Sequence, residues 1–562
     1  MRSSAARPTT TALCARFFEG YVRLEPEDAT TLGVLGEAHR LSDPSESGAA
    51  DELAFHRGVL AELDSLSPES PDEVLDVHAM ASHSRFRAHA LAELGLHRTC
   101  LEASLFPNAM LGHLAARANT AETWESARQR LLALPAYFRG LEGALGAGLA
   151  AGPGPSAEIG ALFERELLPG AASHVGALPA AAARAGVEGA PLEALERAAR
   201  GGVEALQSHR EFYQRTLLPK ARGAFAIGTD EVRFRLGCFF GMTESPAELV
   251  ALAEDELRAA NDALVAATGR LSARTGGNVA SMAEAGAVLR TLWSEHPDDL
   301  DGVVSLYRSA LLRIEPFVRA RALYPWPDGA ALAFCPIPEG MVHGGNATNW
   351  PAPLRGPGGA AFVAYAPRRE AHSRAGAACL FAHEGLPGHA LQSLVWQRVF
   401  GADPSPVRFV AVCDDVAIAR QYFGPMMNVE GWAVRAEERL FEEGLFDEAE
   451  SVLAVASRGI RWARVVADLG LHTGRFDLGG AASWLAEATG MPLGWCDSQV
   501  IRYARIPLQA ITYALGARGF ERLRALRPAE PEMEFHRRVL EVGTAPPALL
   551  ERLWARDGGE VG

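Results

Sequence analysis

Three residues in one short segment have the types that a hydrolytic metal site needs. The segment Ala382–Gln392 reads AHEGLPGHALQ and carries His383, Glu384 and His389. A metal hydrolase surrounds one ion with neutral imidazoles or carboxylates and places a further carboxylate where it can deprotonate a water. The common helical solution sets two histidines four residues apart on one face. Here the second histidine follows the first by six residues. On an unbroken helix that is about 600° of rotation, which points the rings apart. Pro387 and Gly388 change the expectation. Proline has no N–H, and its ring collides with the carbonyl four positions back, that of His383. Glycine then tolerates unusual dihedrals. Together they predict a bulge that pushes two residues out of the helix and swings His389 back over His383. The same residues would suit a helix–turn–helix junction ending in a histidine, and the motif alone leaves both readings open.

A third ligand has a candidate downstream, where Asn428–Gly444 reads NVEGWAVRAEERLFEEG. Glu430 lies 41 residues after His389 and opens a strongly helical stretch. Glu437, two turns further along the same face, could brace a liganding histidine through its free ring nitrogen. The competing reading is a solvated acidic helix, which suits Glu438, Glu442 and Glu443.

These residues need a frame, and the dominant period of the chain is helical. In residues 245–267 Ser245 is an N-cap candidate, Pro246 suits the first turn and Glu248 completes a capping box. Leu249, Leu252, Leu257 and Leu264 follow near one face. Similar patterns recur at about 47–66, 71–96, 121–148, 190–215, 278–294, 301–322, 406–421, 446–472 and 517–526. AAFVAY at 360–365 is the best strand and ALAFC at 331–335 a weaker one. Glycine and proline cluster at 150–155, 168–190 and 336–359, and the last stretch, with His343 and Asn346, reads as a long loop that lines or covers a cleft. The run 143–157 also reads as a loop. The expectation is a mostly α protein with one small sheet beside the metal-binding helix. It is read as a single catalytic unit over 1–562, with a helical half at 1–222 and a half carrying the metal site at 223–562.

Composition narrows the class. The 562 residues are 48% hydrophobic and 22% charged, as in a globular protein, and the net charge of −15 argues against a nucleic-acid partner. No charge-free apolar run reaches a membrane span; the longest, 167–183, is broken by prolines and a histidine. No apolar leader follows the N-terminus. Seven scattered cysteines without a CxxC pair read as reduced thiols of a cytoplasmic protein. Lys220 is the only lysine, so a phosphate-binding GxxxxGK[ST] loop is absent.

The chain resembles the bacterial domain-of-unknown-function 885 family, whose signatures are HExxPGHxLQ and, downstream, EGWAxYxE. The matching stretches are HEGLPGHALQ at 383–392 and EGWAVRAE at 430–437. The likeness continues at 24–33, 227–236, 468–491 and 502–516. The family is similar in fold to thermostable metallocarboxypeptidases and, more distantly, to angiotensin-converting enzyme, which implies a large helical protein with a deep central cleft. The resemblance implies His383, His389 and Glu430 as metal ligands and Glu384 as general base. His472, Arg502, Tyr503, Gln509 and Tyr513 match polar positions of the C-terminal motifs. Asp468, four residues before His472, could orient its imidazole. Arg435, Ala390, Ala514 and the PLQ triplet at 507–509 depart from the family pattern. The departures touch substrate preference, above all a lysine contact to a substrate carboxylate, for which Arg502 or Arg505 could substitute.

The expected chemistry is zinc-assisted hydrolysis of a peptide or small amide. One Zn2+ held by His383, His389 and Glu430, with other divalent metals able to replace it, would acidify a water. Glu384 would take its proton and pass it to the leaving amine. Tyr503, Tyr513 or His472 would hold the oxyanion, and Arg502 and Gln509 would contact substrate. AAFVAY could pair with an extended peptide as an edge strand, or lie in the core. A hydrolase of another amide or ester, and a non-catalytic helical binding protein, are the alternatives. A homodimer is compatible with all three.

Overall fold

The computed structural model describes residues 9–117, 120–329, 332–338, 346–356 and 360–557, and helices dominate them. His343 lies outside the described residues. Among these, no helix is long and apolar enough to cross a membrane. Helices form where the apolar period predicts them, including Glu46–Leu63, Pro71–Ala92, Gly189–Phe212, Pro246–Ala273, Leu300–Arg321 and Glu448–His472. At Ser245 the expected capping box closes: its hydroxyl accepts from the Glu248 amide while the Glu248 side chain returns to the Ser245 N–H.

The glycine and proline cluster at 168–190 is helical over Leu168–Arg184, because Pro169 falls in the first turn, where no N–H is needed, and Leu168, Ala171, Val175, Leu178 and Ala182 are buried on one side. Two local readings need correction. The run read as a loop from residue 143 continues the helix Ala121–Ala151, since Ala144, Leu145 and Gly148 pack inward. The helix expected at 406–421 is a short turn, Val407–Phe409, followed by Asp414–Arg420. Between them Ala411 takes a left-handed backbone (φ 55°) and donates its N–H to Asp28 at 2.8 Å.

The sheet contains β1 (Leu332–Pro336), β2 (Ala347–Trp350) and β3 (Ala361–Tyr365), in the order β1–β3–β2. β1 pairs parallel to β3 and β2 antiparallel to it, with Ala347 opposite Tyr365. AAFVAY is therefore the central strand, buried at Ala361, Val363, Ala364 and Tyr365, and not an edge. β2 sits inside the stretch read as loop; its four residues carry too little alternation to announce a strand.

Two helix pairs place the site. Pro246–Ala273 and Glu448–His472 share one apolar cluster, with Leu249, Ala253 and Leu257 alongside Val452, Ala456 and Ile460. Met426–Glu442 crosses Thr512–Ala525 backbone on backbone: a Cβ on Gly431 would overlap Gly516, and one on Gly516 would overlap the Met427 carbonyl. N-terminal residues brace this frame from outside. Arg408 donates to Asp76 at 2.6 Å, and Arg505 forks onto Glu102 with two bonds of 2.8 Å.

The Gly431–Gly516 crossing predicts that Gly516→Ala loses about 1–3 kcal/mol by overpacking. A thermal melt of the purified variant checks this.

Candidate metal centre

The helix Ala377–Glu384 stops at Glu384, a turn follows, and a second helix, His389–Phe400, begins. The expected bulge within one helix is thus a break between two. Gly388 folds so tightly over the first helix that a Cβ would overlap the His383 carbonyl, so no other residue fits without a shift. The turn's carbonyls find partners nearby. Trp432 Nε1 donates to Pro387 O at 3.0 Å and to Gly388 O at 3.2 Å, and the Ala390 amide donates to Gly385 O at 3.0 Å. The Asn349 side chain of β2 donates to Glu384 O at 2.9 Å, tying the sheet to the same helix end.

This turn brings the two rings together, with centroids 4.7 Å apart and planes at 82°. His383 Nε2 and His389 Nε2 face Glu430 Oε2 at 3.4 and 3.5 Å. A tetrahedral zinc with bonds of about 2.0–2.1 Å spaces its ligands by about 3.3–3.4 Å, so these separations fit one ion. Glu430 Oε2 is buried and reaches no hydrogen-bond partner among the described residues, as an oxygen reserved for a cation would be. The donor set of two imidazoles and one carboxylate suits zinc.

The remaining ring nitrogens are held so that both Nε2 atoms face inward. His383 Nδ1 donates to Glu437 at 2.6 Å and His389 Nδ1 to Gln392 at 3.4 Å. Glu437 also accepts from Arg461 at 2.6 Å and from the Cys379 thiol at 2.9 Å. Glu437 thus braces His383, as its position on the Glu430 helix suggested. Burial opposes a charge on each group here, and the pairings decide the outcome. Burial raises the Glu437 carboxyl, but Arg461 and His383 outweigh it and bring it down to about 2. Burial works against a proton on His383, yet Glu430 and Glu437 hold it up to about 10. Glu430 is pushed well below the usual carboxylate range by the two imidazoles, against its burial. Glu384 moves the other way: burial raises its pKa, helped by Glu430 and Glu437 and opposed by His383 and His389. A carboxyl that holds its proton more tightly than usual is a better proton acceptor.

The five polar residues of the C-terminal motifs divide into three roles. Tyr513 lines the cleft, its ring centroid 6.1 Å from that of His383. Arg502 also lines it and donates to Tyr513 OH at 3.1 Å and to Gln509 Oε1 at 2.7 Å. Gln509 stands behind the ligands, its amide donating to Glu430 Oε1 and to Tyr513 OH at 3.3 Å each; it supports Glu430 and lines neither cavity of the cleft. Tyr503 and His472 are fully buried and line neither cavity. His472 donates Nε2 to Tyr503 O at 3.0 Å and packs beside Phe225. An oxyanion donor among the three candidates is thus available only in Tyr513. Asp468 is 3.6 Å from His472, but it accepts the Leu508 amide at 3.1 Å and so fixes the turn before Gln509. Arg505 is taken by Glu102, which leaves Arg502 as the arginine facing the ligands.

The cleft consists of two adjoining cavities of about 260 and 230 Å³. They share Ala347, His383, Glu384, Arg502 and Tyr513 at their junction. The first is walled by β2 and by Asn108, His113 and Cys413; the second contains Arg461, Arg464, Gln499 and Asn346. Residues missed by the sequence reading are Trp432, Asn349, Gln392, Arg464 and the paired glycines. Trp432 and Gly431 sit inside the EGW motif and Gln392 ends HEGLPGHALQ, so these three carried a signal.

Fold and site define a mostly α-helical protein with a buried His/His/Glu cluster at the floor of a two-lobed cleft. By its sequence the chain belongs to the family described as bacterial protein of unknown function (DUF885), whose model matches residues 26–553. No curated protein matches it. Two solved structures share the fold. One is titled a "putative lipoprotein" from Colwellia psychrerythraea (TM-score 0.79, 16% identity, 98% of this chain and 99% of that one). The other is titled a "putative lipoprotein of unknown function" from Shewanella oneidensis (TM-score 0.72, 17% identity, 98% and 100%).

Two measurements test this geometry. If the cluster takes up zinc, Glu437→Gln should weaken that binding by about 10–100-fold in a competition titration, because the His383 ring loses its anionic brace. Asp468 supplies a pH test away from the ligands. Burial raises its pKa to about 7, against the Leu508 and Ala510 amides. The folded value exceeds the unfolded one, so its contribution to stability is complete below the unfolded pKa, about 4, and lost as pH rises through 7. Asp468→Asn should remove that decline from denaturant midpoints measured across this window.

Proposed function

We propose that the protein is a zinc-dependent hydrolase, specifically a metallopeptidase acting on peptide C-termini or short peptides. The observation that carries this reading is the convergence of His383 Nε2, His389 Nε2 and the buried Glu430 Oε2 beside Glu384 in one cleft. A zinc ion held by these three residues would supply Lewis-acid polarisation and a water that ionises near neutral pH. Glu384 would accept a proton from an attacking water and return it to the leaving amine; its raised proton affinity suits both directions. Tyr513 offers its hydroxyl to developing charge on the carbonyl oxygen.

Two further features favour a peptide with a free carboxylate. Arg464 and Arg502 both line the second cavity, with guanidinium carbons 5.0 and 6.0 Å from the Tyr513 ring centroid. Their side-chain bonds run to Gln499, Gln509 and Tyr513, and neither forms an ion pair with a carboxylate among the described residues. By contrast their neighbour Arg461 is neutralised by Glu437. Two such cations suit an anionic group of the substrate. β2 is an edge strand whose residues wall the first cavity, a surface on which an extended peptide could add a strand.

Purified protein should contain about one zinc at this cluster and release single C-terminal residues from a peptide library. Glu384→Gln should keep the metal and lower turnover by about 10²–10⁴-fold. Amidation of the peptide C-terminus should abolish cleavage. Unchanged cleavage of amidated peptides would remove the carboxypeptidase assignment. Absence of metal together with an unaltered Glu384→Gln protein would remove the hydrolase reading altogether.

A further inference from the structure

The first cavity holds a second convergence of ligand-type side chains, on the wall formed by the helix Phe106–Arg117 and the start of the helix Asp414–Arg420. His113 Nε2 lies 2.6 Å from Asp415 Oδ2 and 3.7 Å from Cys413 Sγ. These ligand atoms all fall within 4.8 Å of one another. His113 and Cys413 are buried, and Asp415 is partly exposed, its side chain 29% accessible. The His113 ring packs against Trp350 of β2, with centroids 5.0 Å apart.

We infer that Cys413, His113 and Asp415 form a second metal site, for a thiophilic divalent cation such as zinc, distinct from the His383–His389–Glu430 cluster. The chemistry of the set argues for this. Thiolate, imidazole and carboxylate are the three zinc ligand types of proteins, and the thiolate disfavours magnesium and calcium. A Cys–His–Asp relay for nucleophilic catalysis fits poorly, because both partners meet the same ring nitrogen. A relay needs the carboxylate on one nitrogen and the thiol on the other. The 3.7 Å between Cys413 Sγ and His113 Nε2 fits two ligands of one zinc, whereas the 2.6 Å between His113 Nε2 and Asp415 Oδ2 is a hydrogen bond that the partly exposed Asp415 would open to about 3.3 Å on taking up the ion. The surroundings are acidic, since Asp414 and Asp415 follow Cys413 and line the same cavity, and a bound cation would take the thiolate form.

The site would also matter to the first. Asp414, between two of its ligands in sequence, lines the same cavity and interacts electrostatically with Glu430, His389 and Arg502. A cation that fastens Cys413 and Asp415 to His113 would set where the Asp414 carboxylate stands. The inference does not rest on the proposed hydrolase activity.

Cobalt substitution of the full-length protein tests it, because thiolate ligation gives an intense near-ultraviolet sulfur-to-cobalt charge-transfer band that histidine and carboxylate do not. The wild-type protein should take up two cobalt ions and show that band. His383→Ala/His389→Ala should keep the band with one cobalt. Cys413→Ser should lose the band and keep one cobalt, and Asp415→Asn, at a partly exposed position, should weaken uptake at this site while preserving the fold by circular dichroism. A wild-type protein with no thiolate band, or a band that survives in Cys413→Ser, would overturn the proposal. Loss of the band in the double histidine variant would overturn the independence of the two sites.

Discussion

Gly388 lies against the carbonyl of His383 with no space for a side chain between them, and the rest of the site depends on that contact. It ends one helix and starts the next within four residues, so two imidazoles six positions apart meet around one point. A break in a buried helix frees carbonyls that must find donors. The Trp432 indole supplies one, from the same helix that supplies Glu430. The turn that gathers the histidines and the helix that brings the carboxylate are therefore fastened at a single place.

From that place the polar order extends outward in two chains. One runs from His383 through Glu437 to Arg461. The other runs from Glu430 through Gln509 to Arg502, with Tyr513 bonded to both of the latter. Glu430 and Glu437 are stabilised as anions by cationic or amide partners, whereas burial favours the protonated form of Glu384. Neighbouring glutamates thus acquire opposite tendencies from their surroundings, a division suited to one ligand and one proton carrier.

Much of this was legible locally. The histidines and Glu384 lie in one segment, and Pro387 and Gly388 announce a break there through the rules of the backbone alone. Glu430 and Glu437 share a helical face, so the brace on His383 followed from a two-turn spacing. Other assignments failed because spacing within a helix says nothing about what lies opposite it. Asp468 and His472 are indeed one turn apart, but Leu508 and Tyr503 offer the better partners. Tyr503 and Tyr513 look alike in sequence; one turns into the core and the other into the cleft.

Amino-acid order determined the ligand types, the interruption between the histidines and the helical character of the chain, since each follows from covalent constraints and periodicity over a few residues. Tertiary structure alone decided that Gly431 meets Gly516, that β2 walls the cleft and that Gln509 stands behind Glu430. Those depend on which helices cross and how closely their backbones approach, and that is set by the packing of surfaces far apart along the chain.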